Sequence, residues 1–132
     1  MTSSRRLIDA FLAGDAASAA AGLAPDATFH SPVRDYQGRD RIGAVWRAVA
    51  GVIADARTTS VHVATRETAA FFTGTVADRP LDGVLRVITD DRGRARDVTL
   101  MVRPLAALRA ALAQLPDEVA GPAGAGPASA SV

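Results

Sequence analysis

The sequence predicts an α+β domain: helices first, then hairpin-linked strands, then one closing helix. Three observations carry that reading. Apolar residues between Leu7 and Ile53 recur at helical spacing, whereas from Arg57 to Arg103 the period changes to two. Short turn signals separate those later segments, which suits antiparallel hairpins rather than the long crossovers of a parallel sheet. A chain of 132 residues holds about one domain.

Thr2 to Ala13 reads as the first helix, capped by Ser3 or Ser4, with Leu7, Ile8, Phe11 and Leu12 on one face and Gly14 as its stop. Asp15 caps a short alanine helix that ends at Gly22, with Leu23 as a docking side chain. Pro25-Asp26 punctuates, and Ala27 to Val33 is extended until Pro32 ends its pairing. After Gly38, the stripe Ile42, Val45, Trp46, Val49, Val52 and Ile53 marks a helix buried on one side. Strands follow from Arg57, over Ala69 to Val76, Leu81 to Thr89 and Ala95 to Arg103, with Asp90-Asp91-Arg92-Gly93 as a hairpin turn. Pro104 opens the last helix, whose apolar side is Leu105, Leu108, Leu112 and Leu115. Residues 1–115 are expected to form the domain. Residues 116–132, rich in Ala, Gly, Pro and Ser, are expected to be a flexible tail, because they offer little to bury.

Composition narrows the chemistry. Hydrophobic residues make up 48% of the chain, but 29 residues are alanine, so the core has few large side chains. All 15 basic residues are arginine, and a net charge of +1 gives no field for nucleic acid or an anionic membrane. The absence of cysteine excludes disulfides, thiol nucleophiles and cysteine-ligated metals, and two histidines 32 positions apart exclude a histidine-rich metal site. No phosphate-binding glycine loop or serine nucleophile elbow is present. With no signal or spanning segment, a soluble cytoplasmic protein without cofactor or metal is expected.

Several segments in register resemble one family. Gly14-Asp15 and Ala24-Pro25-Asp26-Ala27 fit its opening helices. Phe29-His30-Ser31-Pro32-Val33 and Tyr36-Gln37-Gly38-Arg39-Asp40-Arg41-Ile42 look like its first strand and third-helix entry. Asp82-Gly83-Val84-Leu85-Arg86, Asp91-Arg92-Gly93-Arg94 and Val98-Thr99-Leu100-Met101-Val102-Arg103-Pro104-Leu105 look like its last strands. Over residues 5–115 the chain resembles the nuclear transport factor 2-like superfamily, in its SnoaL-like branch of polyketide cyclases, beside ketosteroid isomerases and limonene-type epoxide hydrolases. The resemblance implies a cone: a strongly curved antiparallel sheet wrapped on helices, with an apolar pocket at the open end. Members include enzymes and pure binding proteins, so the fold alone does not settle function.

His30 is the first catalytic candidate. The resemblance implies that its position, two before the proline, faces the pocket, where an imidazole can move protons near neutral pH. Strand alternation puts Thr28 and His30 on one face and Phe29 and Ser31 on the other, and apolar Phe29 argues for the opposite choice. Asp82 is the acid nearest to the family's catalytic carboxylate on the later strands; its other reading is a strand-end aspartate. The family pattern has a second acid near Leu85, which this chain lacks. Arg86 shares a face with Asp82 and either clamps an anion or meets solvent. Tyr36, Trp46, Phe72, Leu100 and Val102 are the expected pocket walls, with Tyr36 a possible phenolic donor or a plain aromatic plug.

Three functions remain open on this reading. The first is a cofactor-independent isomerase, cyclase or epoxide-hydrolase-like enzyme acting on a small polyketide-, steroid- or terpene-like molecule. The second is a non-catalytic binder of such molecules. The third is a module that dimerises through the outer sheet face carrying Thr99 and Met101.

Overall fold

The computed structural model describes residues 2–120. Helices α1 (Ser3–Leu12) and α2 (Ala16–Ala21) open the chain, followed by strands β1 (Leu23–His30) and β2 (Asp35–Gln37). Helix α3 (Arg39–Val49) leads into the meander β3 (Ala54–Ala64), β4 (Glu67–Val76), β5 (Arg79–Thr89) and β6 (Ala95–Arg103). Helices α4 (Leu105–Leu112) and α5 (Asp117–Ala120) end the described chain. The architecture is α+β, with a curved, unclosed six-stranded sheet in the order β2-β1-β6-β5-β4-β3.

Local chemistry sets the helix starts. Thr2 caps α1 by accepting from the Arg5 amide, one residue earlier than expected. Asp15 caps α2 through the Ser18 amide, 3.1 Å away. Gly38 enters α3 at φ +91°, a conformation that glycine adopts without strain, and Asp40 lies in the first turn where the helix dipole favours an anion.

The sheet departs from the expected fully antiparallel arrangement at one junction. β1 pairs antiparallel with β2 on one side and parallel with β6 on the other. β2 was not expected, since three residues are too few to show a period. β1 also starts earlier than the Pro25-Asp26 signal suggested. The chain absorbs Pro25 in an irregularity between Leu23 and Thr28, where a missing amide hydrogen costs no ladder bond.

Alternation gives the sheet two unlike faces. Phe29, Ala70, Phe72, Leu81, Leu85, Val87 and Val98 point inward and are buried with Leu7 and Ile8 of α1 and Ile42 and Trp46 of α3. Asp82, Met101 and Arg103 point outward with Phe71. The inner face is closed most tightly where Phe72 pairs with Gly83 across β4 and β5. A Cβ on Gly83 would lie 2.6 Å from Phe72 Cε2 and 2.9 Å from the Met101 carbonyl oxygen, so the ring occupies the space that a side chain would need.

Gly83→Ala is therefore expected to destabilise the fold by about 1–3 kcal/mol, the usual cost of overpacking a core. A urea midpoint equal to that of the parent protein would show that Phe72 moves aside freely.

Candidate functional site

The pocket lies between the inner sheet face, the helices and the C-terminal segment, and has a cavity volume of about 100 Å³. Phe11, Leu12 and Ala16 come from the first two helices and their connection, Val45, Trp46 and Val49 from α3, and Phe29, Tyr36, Leu81, Leu100 and Val102 from the strands. Val52, Ile53 and Ala56 extend the wall beyond α3. Leu108, Ala111, Leu112, Leu115 and Val119 roof it.

An aromatic chain organises one wall. Trp46 meets the rings of Phe11 and Phe29 edge-on, at centroid distances of 5.3 and 5.5 Å. Phe29 stacks on Tyr36 at 6.1 Å because the two are register partners on β1 and β2 and so project to the same side. The Arg41 guanidinium lies 5.7 Å from the Tyr36 centroid.

Polar groups in the lining are few. The Tyr36 hydroxyl donates to the Val119 carbonyl oxygen at 3.0 Å, tying β2 to the roof. Burial raises the Tyr36 pKa, an effect that nearby Arg34 and Arg41 oppose, so the phenol stays protonated at neutral pH. Ser31 Oγ donates to the Arg34 carbonyl oxygen and accepts from the Val33 and Arg34 amides, which commits it to its own turn. The Trp46 indole N–H is buried without a hydrogen-bond acceptor. Among the described residues, no Asp, Glu, His or Arg lines the pocket.

The expected site residues divide between the two faces. Tyr36, Trp46, Leu100 and Val102 line the pocket. Phe72 points inward but is buried against Gly83 rather than lining the cavity. His30, expected to reach the pocket, instead lies on the outer face, because Phe29 takes the inward position. There its Nδ1 and Nε2 lie 2.8 Å from an Asp35 oxygen and 2.9 Å from an Asp97 oxygen. Asp82 is also outside, 2.9 Å from Arg103, and Arg86 pairs with Glu67 at 2.5 Å. The structure thus does not bring His30 and Asp82 together.

Sequence reasoning missed the full extent of the roof. Residues 117–120, expected to belong to a tail, form a helical turn, and Val119 lines the pocket. The rest of the expected tail, residues 121–132, lies outside the described residues. Val119 is a lone large apolar residue between Pro116 and Gly121, which was the available signal.

A curved, unclosed sheet wrapped on helices around an apolar pocket defines the nuclear transport factor 2-like class. Within it the chain belongs to the SnoaL-like domain family, whose model matches residues 4–109. A steroid delta-isomerase from Pseudomonas aeruginosa is similar at 26% identity and a TM-score of 0.77, over 85% of this chain and 85% of that one. A protein of cystatin-like fold from Silicibacter pomeroyi DSS-3 is similar at 24% identity and a TM-score of 0.79, over 85% and 81% of the two chains. An NTF-2-like protein of unknown function from Burkholderia xenovorans LB400 shares the fold at 17% identity and a TM-score of 0.67, over 76% and 79%. No curated protein is significantly similar in sequence. Among the described residues, no helix is long and apolar enough to cross a membrane, and no cluster of three or more His, Asp or Glu could hold a metal.

The outer histidine has a stability consequence. Partial burial disfavours the imidazolium, but hydrogen bonds to Asp35 and Asp97 outweigh that and raise the His30 pKa above 6.5. Stabilisation by His30 is then fully present below pH 6.5 and is lost as pH rises through the folded-state pKa. His30→Ala should therefore lower the unfolding free energy, measured by urea denaturation, more at pH 5.5 than at pH 8.5, by under about 1 kcal/mol given the exposure of the group. An equal loss at both pH values would show that the imidazolium contributes nothing.

Proposed function

We propose that the protein is a binder of a small, neutral, hydrophobic molecule, held in the pocket between Trp46 and the α4–α5 roof. One observation carries this reading: the described lining contains no charged side chain. A charged ligand would lose its hydration there and gain no counter-ion, whereas an apolar ligand gains burial.

Catalysis by His30 and Asp82 is not part of the proposal. Acid–base transfer needs the group within hydrogen-bond reach of the substrate, directly or through one water. Both residues instead engage partners on the far side of the sheet. The steroid delta-isomerase likeness favours a second reading, proton transfer inside the pocket, and Tyr36 is the ionisable lining residue that could carry it.

Trp46 is the chain's single tryptophan and lines the site, so its fluorescence should change saturably on titration with cyclohexane, and the melting temperature should rise. His30→Ala and Asp82→Asn should leave that titration unchanged. A flat titration, with no thermal shift, would remove the binding reading. Steroid isomerisation by the parent protein, lost in Tyr36→Phe, would establish the second.

We also propose that two copies associate through their outer sheet faces. Phe71, Val84 and Met101 are register partners across β4, β5 and β6 and form an outward apolar row, with Phe71 44% and Met101 61% exposed. Asp82–Arg103 and Arg86–Glu67 flank the row, so each copy offers both signs of charge to a two-fold partner. Light scattering at micromolar concentration should give a dimer mass, and Phe71→Glu combined with Met101→Glu should give a monomer. A monomeric parent protein would overturn this association.

A further inference from the structure

Resting on that binding reading, we propose that the ligand is a compact hydroxylated molecule of about one ring, whose hydroxyl donates to the Tyr36 phenolic oxygen. Three features of the lining lead there: its size, its neutrality and the state of its few polar groups.

Size comes first. An apolar cavity of ~150 Å³ holds benzene, and the pocket has about 100 Å³. A single ring is therefore the scale of occupant that the enclosed part of the pocket holds. Neutrality follows from the uncharged lining.

The polar groups then discriminate among neutral rings. Ser31 Oγ already makes one donated and two accepted hydrogen bonds within its own turn. Tyr36 is different. Its hydrogen is committed to the Val119 carbonyl oxygen, but the phenolic oxygen keeps acceptor capacity on the same wall. A hydroxyl that is already donating is polarised into a better acceptor, so the bond to Val119 favours a ligand that donates. Burial keeps the phenol protonated, which preserves that arrangement at neutral pH.

A ketone meets the opposite situation. To be recognised by Tyr36 it must take the hydrogen that now goes to the Val119 carbonyl oxygen, so an existing hydrogen bond is given up for the one gained. A ligand oxygen that donates therefore matches this wall better than one that only accepts.

The test compares the binding of cyclohexane, cyclohexanol and cyclohexanone by thermal shift, which does not depend on the ketone's quenching of indole fluorescence, on the full chain and on Tyr36→Phe. Loss of the hydroxyl should weaken cyclohexanol relative to cyclohexane by about three- to tenfold, the effect of one hydrogen bond, with a smaller change for cyclohexanone. Using the ratio cancels any general loosening of the roof, because loosening acts on all three rings. An unchanged cyclohexanol-to-cyclohexane ratio in Tyr36→Phe overturns the proposal, as does a loss for cyclohexanone equal to that for cyclohexanol. Failure of all three rings to bind the parent protein removes the binding reading itself, a distinguishable result.

Discussion

The strict alternation of side chains along β1 fixes the rest of the molecule. β1 has a neighbour on each edge, β2 antiparallel and β6 parallel, so its ladder leaves no freedom to slip by one residue. Phe29 is then inward with Tyr36 and Val98 as register partners, and His30 is outward with Asp35 and Thr99. A one-residue slip would bury an imidazole and expose a phenyl ring. The cost of both changes is what pins the sheet, and with it the aromatic wall of the pocket.

From that constraint follows a division of labour between the faces. Ion pairs gather outside: His30 with Asp35 and Asp97, Arg86 with Glu67, Asp82 with Arg103. Half-exposed pairs of this kind contribute little each, because solvent screens them. Inside, burial of Phe29, Trp46, Phe72, Leu85 and Val87 supplies the main stabilisation. The alanine excess sits comfortably with this division. Where alanine stands at Ala16, Ala56 and Ala111, short side chains leave space that larger ones would fill, and that space is the pocket.

Much of the fold was legible because it rests on periodicity. Leu7, Ile8 and Phe11 at helical spacing gave α1, and Val98, Leu100 and Val102 at alternate positions gave β6 and its inward face. Pocket-lining positions at Trp46, Leu100 and Val102 were legible for the same reason, whereas Tyr36 stood in a segment with no period to read. What periodicity could not supply was a choice between faces. His30 alternates with Phe29 equally well in either orientation, and only pairing with β2 and β6, formed by residues 5 to 69 positions away, decides it. β2 itself and α5 are too short to leave a pattern. The parallel β1–β6 junction depends on two strands far apart in the chain, which local signals do not encode.

The roof brings these two kinds of information together. α4 is periodic, yet Leu105, read as part of its apolar side, is 59% exposed, while Ala107 on the same helix is buried. A helix of eight residues rotates its buried face to suit what it covers, and here it covers a cavity floored by Leu100 and Val102. The roof is then carried past Pro116 to Val119, where the Tyr36 hydroxyl meets a backbone carbonyl rather than a side chain. A bond to backbone places no demand on the identity of residue 119. The sequence requirement therefore falls on Tyr36 alone, at the centre of a three-residue strand whose register with Phe29 holds the phenol against the roof. That is why a residue in so short an element sits where pocket wall, roof and sheet edge meet.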